Sequence, residues 1–162
     1  MAKFRRRKTA PQIQGKAEMI HILDTDLFSL QLLPDSPEYL RLRARALELP
    51  TDDKVVTTII TYEEQTRGWL AYTAKSSALP HQVKAYNRLK QHLANYLKWE
   101  VLDFDPPSAK QFERLRSLKI RIGTMDLKIA AVALSNNAVV LTRNLKDFQR
   151  VPNLRVEDWT KQ

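Results

Sequence analysis

Short apolar and β-branched runs alternate along this chain with longer segments of helical composition, and that alternation restricts the fold more than any single motif. Residues 20–23, 54–58, 101–104, 138–141 and 154–156 have the length and composition of buried strands. Between them the pattern predicts helices over 26–33, 38–49, 60–73, 83–98, 108–119 and 124–135, with a helical turn over 144–148. Strands separated by helices pair in parallel through crossovers, which cover the sheet with helices. The expected fold is α/β, a three-layer α/β/α sandwich around a central, mostly parallel sheet. A length of 162 residues suits one domain with a real core and is short for two.

Two segments need an explicit choice. Pro34-Asp35-Ser36-Pro37 breaks the chain, with Ser36 placed to cap the next helix and Pro37 in its first turn. The stretch from Tyr39 to Ala46 alternates with period two, as a strand would, yet it is long and rich in Ala, Leu and Arg, which predicts a helix. Leu127 to Leu134 is almost entirely apolar and so belongs deep in the core.

Composition excludes several chemistries. There is no cysteine, so disulfides, thiolate catalysis and Cys-based zinc sites are ruled out, in keeping with a cytoplasmic setting. His21, His81 and His92 show no metal-ligand spacing, and with three glycines there is no Gly-rich phosphate loop. No apolar run nears the roughly 18 residues of a membrane span, so no membrane partner is expected. The net charge of +9 points to a polyanionic partner. Residues 1–18 hold six Lys or Arg against Glu18, a net +5, which leaves +4 for the other 144. This stretch is polar and aperiodic and reads as a disordered basic arm ahead of a domain over 19–162; a chain start at Met19 is the other reading.

Acidic residues stand where the predicted strands end. Ile20-His21-Ile22-Leu23 runs into Asp24-Thr25-Asp26, and the edge at which parallel strands end is where open α/β sheets place ligands. Asp24 is surplus to helix capping if Asp26 caps the next helix. Ile60, Glu64, Gly68 and Ala71 share a helical face, which draws Glu64 inward, while Glu63 pairs with Arg67 four residues on. Asp126 falls in the first turn of a buried helix, with Thr124 as its expected cap. Asn144 and Asp147 follow the fourth strand in the spacing of a capping pair. Each acid has a structural explanation of its own; together they all fall on one edge of a parallel sheet. Carboxylates crowded there must take up a proton or hold a cation.

These segments resemble the PIN-domain nucleases, and among them the toxins of VapBC-type toxin–antitoxin systems. The matching stretches are Ile22-Leu23-Asp24-Thr25-Asp26, then Ile60-Thr61-Tyr62-Glu63-Glu64 through Gly68. Next come Ile122-Gly123-Thr124-Met125-Asp126-Leu127 through Ala131, Leu141-Thr142-Arg143-Asn144 through Phe148, and a similar closing stretch from Val151 to Trp159. The resemblance implies a PIN-like domain over 19–162, with the family's acidic positions on Asp24, Glu64 and Asp126 and a last polar position at Asn144 or Asp147. It further implies RNA as substrate, an antitoxin protein as partner and a homodimer; Trp69, Tyr72 and the 38–49 helix could form the antitoxin or dimer surfaces, with core packing as an equal explanation.

An all-oxygen donor set selects Mg²⁺ or Mn²⁺ over zinc. The expected activity is therefore metal-assisted RNA phosphodiester hydrolysis. Asp24 and Asp126 would be the principal ligands, with Glu64, Asp147 and Asn144 completing the site, and Arg121 and Arg143 would hold the phosphate backbone. A catalytically inactive PIN-like module that binds RNA or protein is the alternative, and a doubly wound signalling domain with a modified Asp24 is a third.

Overall fold

The computed structural model describes residues 18–161. Five strands form one sheet: β1 (Ile20–Leu23), β2 (Lys54–Thr58), β3 (Val101–Leu102), β4 (Val139–Leu141) and β5 (Arg155–Glu157). All neighbouring pairs are parallel, in the order β3-β2-β1-β4-β5. The helices are α1 (Thr25–Ser29), α2 (Pro37–Leu47), α3 (Ile59–Lys75), α4 (Leu79–Tyr96), α5 (Pro106–Ser117), α6 (Thr124–Ser135) and α7 (Leu145–Phe148). Among the described residues no helix is long and apolar enough to cross a membrane. The basic arm expected over 1–18 lies outside the described residues apart from Glu18, whose carboxylate meets the Lys54 ammonium at 2.8 Å.

The two faces of the sheet divide the core. Ile22, Val56 and Val140 point to the side covered by α5 and α6, where they pack with Leu115, Ile129 and Val132. Leu23, Val139 and Leu141 point to the other, against Leu27, Phe28, Leu42 and Tyr96. The period-two alternation of strand side chains thus assigns successive residues to opposite layers.

Local chemistry explains where elements begin and end. The ambiguous 38–49 segment is helical as α2: the Ser36 hydroxyl accepts from the Tyr39 N–H at 3.3 Å and Pro37 sits in the first turn. Ser36→Ala is expected to cost about 1 kcal/mol, read as a lower urea midpoint with an unchanged slope. The helix expected over 26–33 is shorter, since the chain tightens into a 3-10 turn at Leu30–Leu32. The helix expected from residue 83 begins at Leu79, because Pro80 occupies its first turn instead of preceding it. Thr124 is the first residue of α6 and not its cap; that position belongs to Gly123, with no side-chain capping bond.

Candidate active site

The sheet order creates the crevice. β1 and β4 are neighbours, but the chain leaves β1 toward β2 and leaves β4 toward β5. Connections that diverge in this way leave a gap beyond the carboxyl ends of the two strands. Asp24 follows β1, and Thr142, Arg143 and Asn144 follow β4. α3 departs from the same edge after β2, and α6, returning toward β4, starts there.

Asp24 is the most enclosed of the acids, 4% exposed. Its backbone N–H donates to the Leu141 carbonyl at 3.1 Å, tying it to the end of β4. Its Oδ1 accepts from the Leu27 N–H at 2.8 Å, so Asp24 is itself the cap of α1. Asp26, which could have taken this role, does not cap the helix. Asp26 is exposed, and both its oxygens are gripped by Arg143, with Nε–Oδ2 and Nη2–Oδ1 each 2.5 Å. Burial pushes the Asp24 carboxyl up to about 6; the Leu27 N–H and Thr142 hydroxyl pull the other way, and the charges of Asp26 and Asp126 add to the rise.

Glu64 lies within two turns of the start of α3, half-buried, and accepts a hydrogen bond from the Thr25 hydroxyl. Thr58 caps the helix through the Thr61 N–H at 3.1 Å. The Glu63–Arg67 pair expected from spacing forms at 2.5 Å. The small residues on the Glu64 face do not admit another backbone: Gly68 and Ala71 are exposed, and a Cβ at Gly68 would meet nothing within 4 Å.

Asp126, in the first turn of α6, links the group. Its carboxyl is raised above the usual range by burial, then by the nearby charges of Glu64 and Asp147. Asp147 accepts from the Asn144 amide at 3.0 Å and meets Arg150 at 3.4 Å. Asn144 stands before α7 without capping it by its side chain; the expected pairing of the two residues occurs side chain to side chain instead. Arg121 is exposed at the same rim, its carbonyl accepting from Arg150 at 2.6 Å.

Asp24, Glu64, Asp126 and Asp147 are thus electrostatic neighbours on one edge. Among the described residues, however, no three of them converge on a single ion position. Glu64 is turned to Thr25, and Asp147 to Asn144 and Arg150. Neither Thr25 nor Thr142 stood out in the sequence as a functional position. The signal was there, since each is a hydroxyl within two residues of a strand end, Thr25 next to Asp24 and Thr142 two residues before Asn144.

The donor chemistry fits a hard divalent cation. It is all oxygen, it carries excess negative charge, and its most enclosed carboxyl is raised mainly by burial.

Comparison with known proteins agrees with the fold. The family model described as PIN domain matches residues 21–154. Ribonuclease VapC1 of Haemophilus influenzae is 34% identical over 149 residues, covering 88% of this chain and all of that protein. The tRNA(fMet)-specific endonuclease VapC of Salmonella typhimurium is 31% identical over 145 residues, covering 85% and 96%. Among solved structures, VapBC2 from Rickettsia felis bound to a promoter DNA fragment is similar with a TM-score of 0.66 and 25% identity, over 87% of this chain and 99% of that one. VapBC-1 from nontypeable H. influenzae matches with a TM-score of 0.64 and 29% identity, over 88% and 100%.

Proposed function

The chain belongs to the PIN-domain family, where its relatives are VapC ribonucleases, and on that footing we propose that it is the endoribonuclease toxin of a toxin–antitoxin pair. The observation that carries the reading is the group of like charges around Asp126, whose carboxyl is raised by burial and by its acidic neighbours. Asp24 and Asp126 would hold a divalent cation, Mg²⁺ or Mn²⁺, with Glu64 and Asp147, or Asn144 in its place, completing the donor set. When bound, the cation supplies charge neutralisation and Lewis-acid polarisation of the scissile phosphate.

The chain's own residues prepare the site. The Leu27 N–H and the Thr142 hydroxyl orient the Asp24 carboxylate, and the Thr25 hydroxyl holds that of Glu64. Arg121 and Arg143 stand at the rim, where they would meet phosphates on either side of the cleaved bond. Arg143 is engaged by Asp26, so RNA competes with that carboxylate. Asp26→Asn is therefore expected to tighten RNA binding several-fold, and Arg143→Ala to weaken it, measured by fluorescence anisotropy at fixed salt.

An antitoxin partner is proposed from the VapBC complexes among the structural neighbours. A homodimer is proposed from the family resemblance. The test of the reaction is cleavage of an RNA panel by the purified chain in Mg²⁺, Mn²⁺ or EDTA. The panel includes initiator tRNA, because one relative is named for it. Cleavage that continues in EDTA rejects the metal mechanism; RNA binding with no cleavage in any metal favours an inactive binding module.

A further inference from the structure

One stretch of the chain carries cations without a single acid. From Gln65 to Trp99 there are six Lys or Arg and no Asp or Glu, and Glu64 and Glu100 stand immediately outside it. These residues form most of α3 and all of α4, which pack as a hairpin. Over the same span aromatic side chains reach the surface: Tyr72 and Tyr86 are exposed and Trp69 is half-buried.

The hairpin and the 3-10 turn enclose a cavity of about 290 Å³. Trp69 forms one wall of it, and its indole N–H has no protein partner among the described residues. Gln91 and Asn95 from α4 face the same space. Arg88 and Lys98 stand on its rim with no ion-pair partner among the described residues. Gln65 is held in place: its amide donates to the Ser29 hydroxyl at 2.8 Å and accepts from the Tyr96 hydroxyl at 3.0 Å. A smaller hollow against Gly68 and Tyr72 shares Leu32, Gln65 and Trp69 with this cavity, so the groove continues along α3. It begins at the residue following Glu64.

We infer that this groove is a nucleotide subsite, which holds a base of the RNA flanking the cleaved bond and so gives the enzyme sequence preference. The inference rests on the ribonuclease reading above and adds where specificity resides. The chemistry selects this ligand. A planar indole offers a stacking face, the Gln91 amide offers a donor and an acceptor for a base edge while Asn95 is turned to Gln31 at 3.4 Å, and Arg88 and Lys98 are positioned for the adjoining phosphates. An acidic peptide would satisfy the cations as well; the flat face of a base adds stacking on the indole, which a peptide backbone does not supply.

The test uses the full chain in EDTA, with fluorescein-labelled single-stranded RNA oligonucleotides that differ at one position, read by anisotropy across a salt series. The double variant Arg88→Ala/Lys98→Ala is expected to bind about tenfold more weakly, with the salt slope reduced by about 0.7 for each phosphate no longer neutralised. Gln91→Ala is expected to flatten the preference among oligonucleotides while leaving the salt slope intact. Arg88 and Gln91 are exposed on α4 and Lys98 is exposed just beyond its end, and melting temperature checks the folding of both variants. Unchanged affinity, salt slope and base preference in these variants overturn the subsite, as does normal RNA binding combined with loss of an acidic partner protein. Cleavage by the wild-type chain in Mn²⁺ separates the two ideas. A cleaving wild type with unaffected variants removes the subsite alone. A wild type that binds through this groove without cleaving removes the ribonuclease reading and, with it, the placement beside a cleaved bond, leaving an RNA-binding groove.

Discussion

Asp24→Asn and Asp126→Asn are each expected to slow RNA cleavage by on the order of 10²–10³-fold, and more in combination only if the two act independently. Asparagine preserves the shape of aspartate and caps a helix equally well, so the Leu27 N–H keeps its partner in the first variant. What is lost is one negative charge at the place where a cation must be held. Single-turnover rates at saturating Mn²⁺, beside the melting temperature of each variant, separate this loss from misfolding. The added Mn²⁺ itself provides a second readout. It should raise the melting temperature of the wild type by selective binding to the folded state, and raise that of either variant less. Full activity in both variants would end the proposed mechanism.

The second large effect is on stability and has the opposite sign. In EDTA, Asp24→Asn is expected to be more stable than the wild type at neutral pH by about 3 kcal/mol, the free energy of raising a carboxyl from 3.8 to about 6. Because the folded state holds this proton more tightly than the unfolded state does, the group destabilises the fold when ionised. Its penalty is fully present above pH 6, fades as pH falls through the folded value, and is gone below about pH 4. Other carboxylates titrate over the same range, so the quantity to follow is the wild-type minus variant difference in urea denaturation from pH 4 to 8. A cation that binds the ionised form should shrink the difference at neutral pH. An Asp24→Asn protein less stable than the wild type in EDTA would show that burial of this carboxylate costs the fold little.

A site that is stabilised by losing the charge it uses is the expected signature of function placed against stability. The cost is localised. Ile22, Leu23, Val140 and Leu141, which deliver Asp24 and Thr142 to the edge, are buried to 2% exposure or less. They hold the strand ends in register whatever the state of the carboxylate. Arg143 illustrates the other side of the arrangement, since its pairing with Asp26 is half-exposed and worth at most about 1 kcal/mol, weak enough for a phosphate to displace.

Much of this was legible in the residues themselves. The strand positions, the helical state of the 38–49 segment and the placement of acids at strand ends follow from composition and period, which act over a few neighbouring residues. The errors share a cause. Gly68 and Ala71 lie on the Glu64 face of α3, and helical period alone turns them inward. A 17-residue helix is about 25 Å long, however, while the five residues of β2 span about 17 Å, so the second half of α3 overhangs the sheet. The same overhang exposes Trp69 to the groove shared with α4. Asp26 could have capped α1 as well as Asp24 does; the choice was made by Arg143, which arrives from 117 residues away.

The chain by itself determined that there would be a helix-covered parallel sheet, and which acids would stand at the ends of its strands, because period, caps and breakers are local interactions. Only the tertiary structure decided the strand order β3-β2-β1-β4-β5, the neighbours of each carboxylate and the groove between α3 and α4. Those depend on which distant surfaces bury one another, and spacing along a sequence does not encode that.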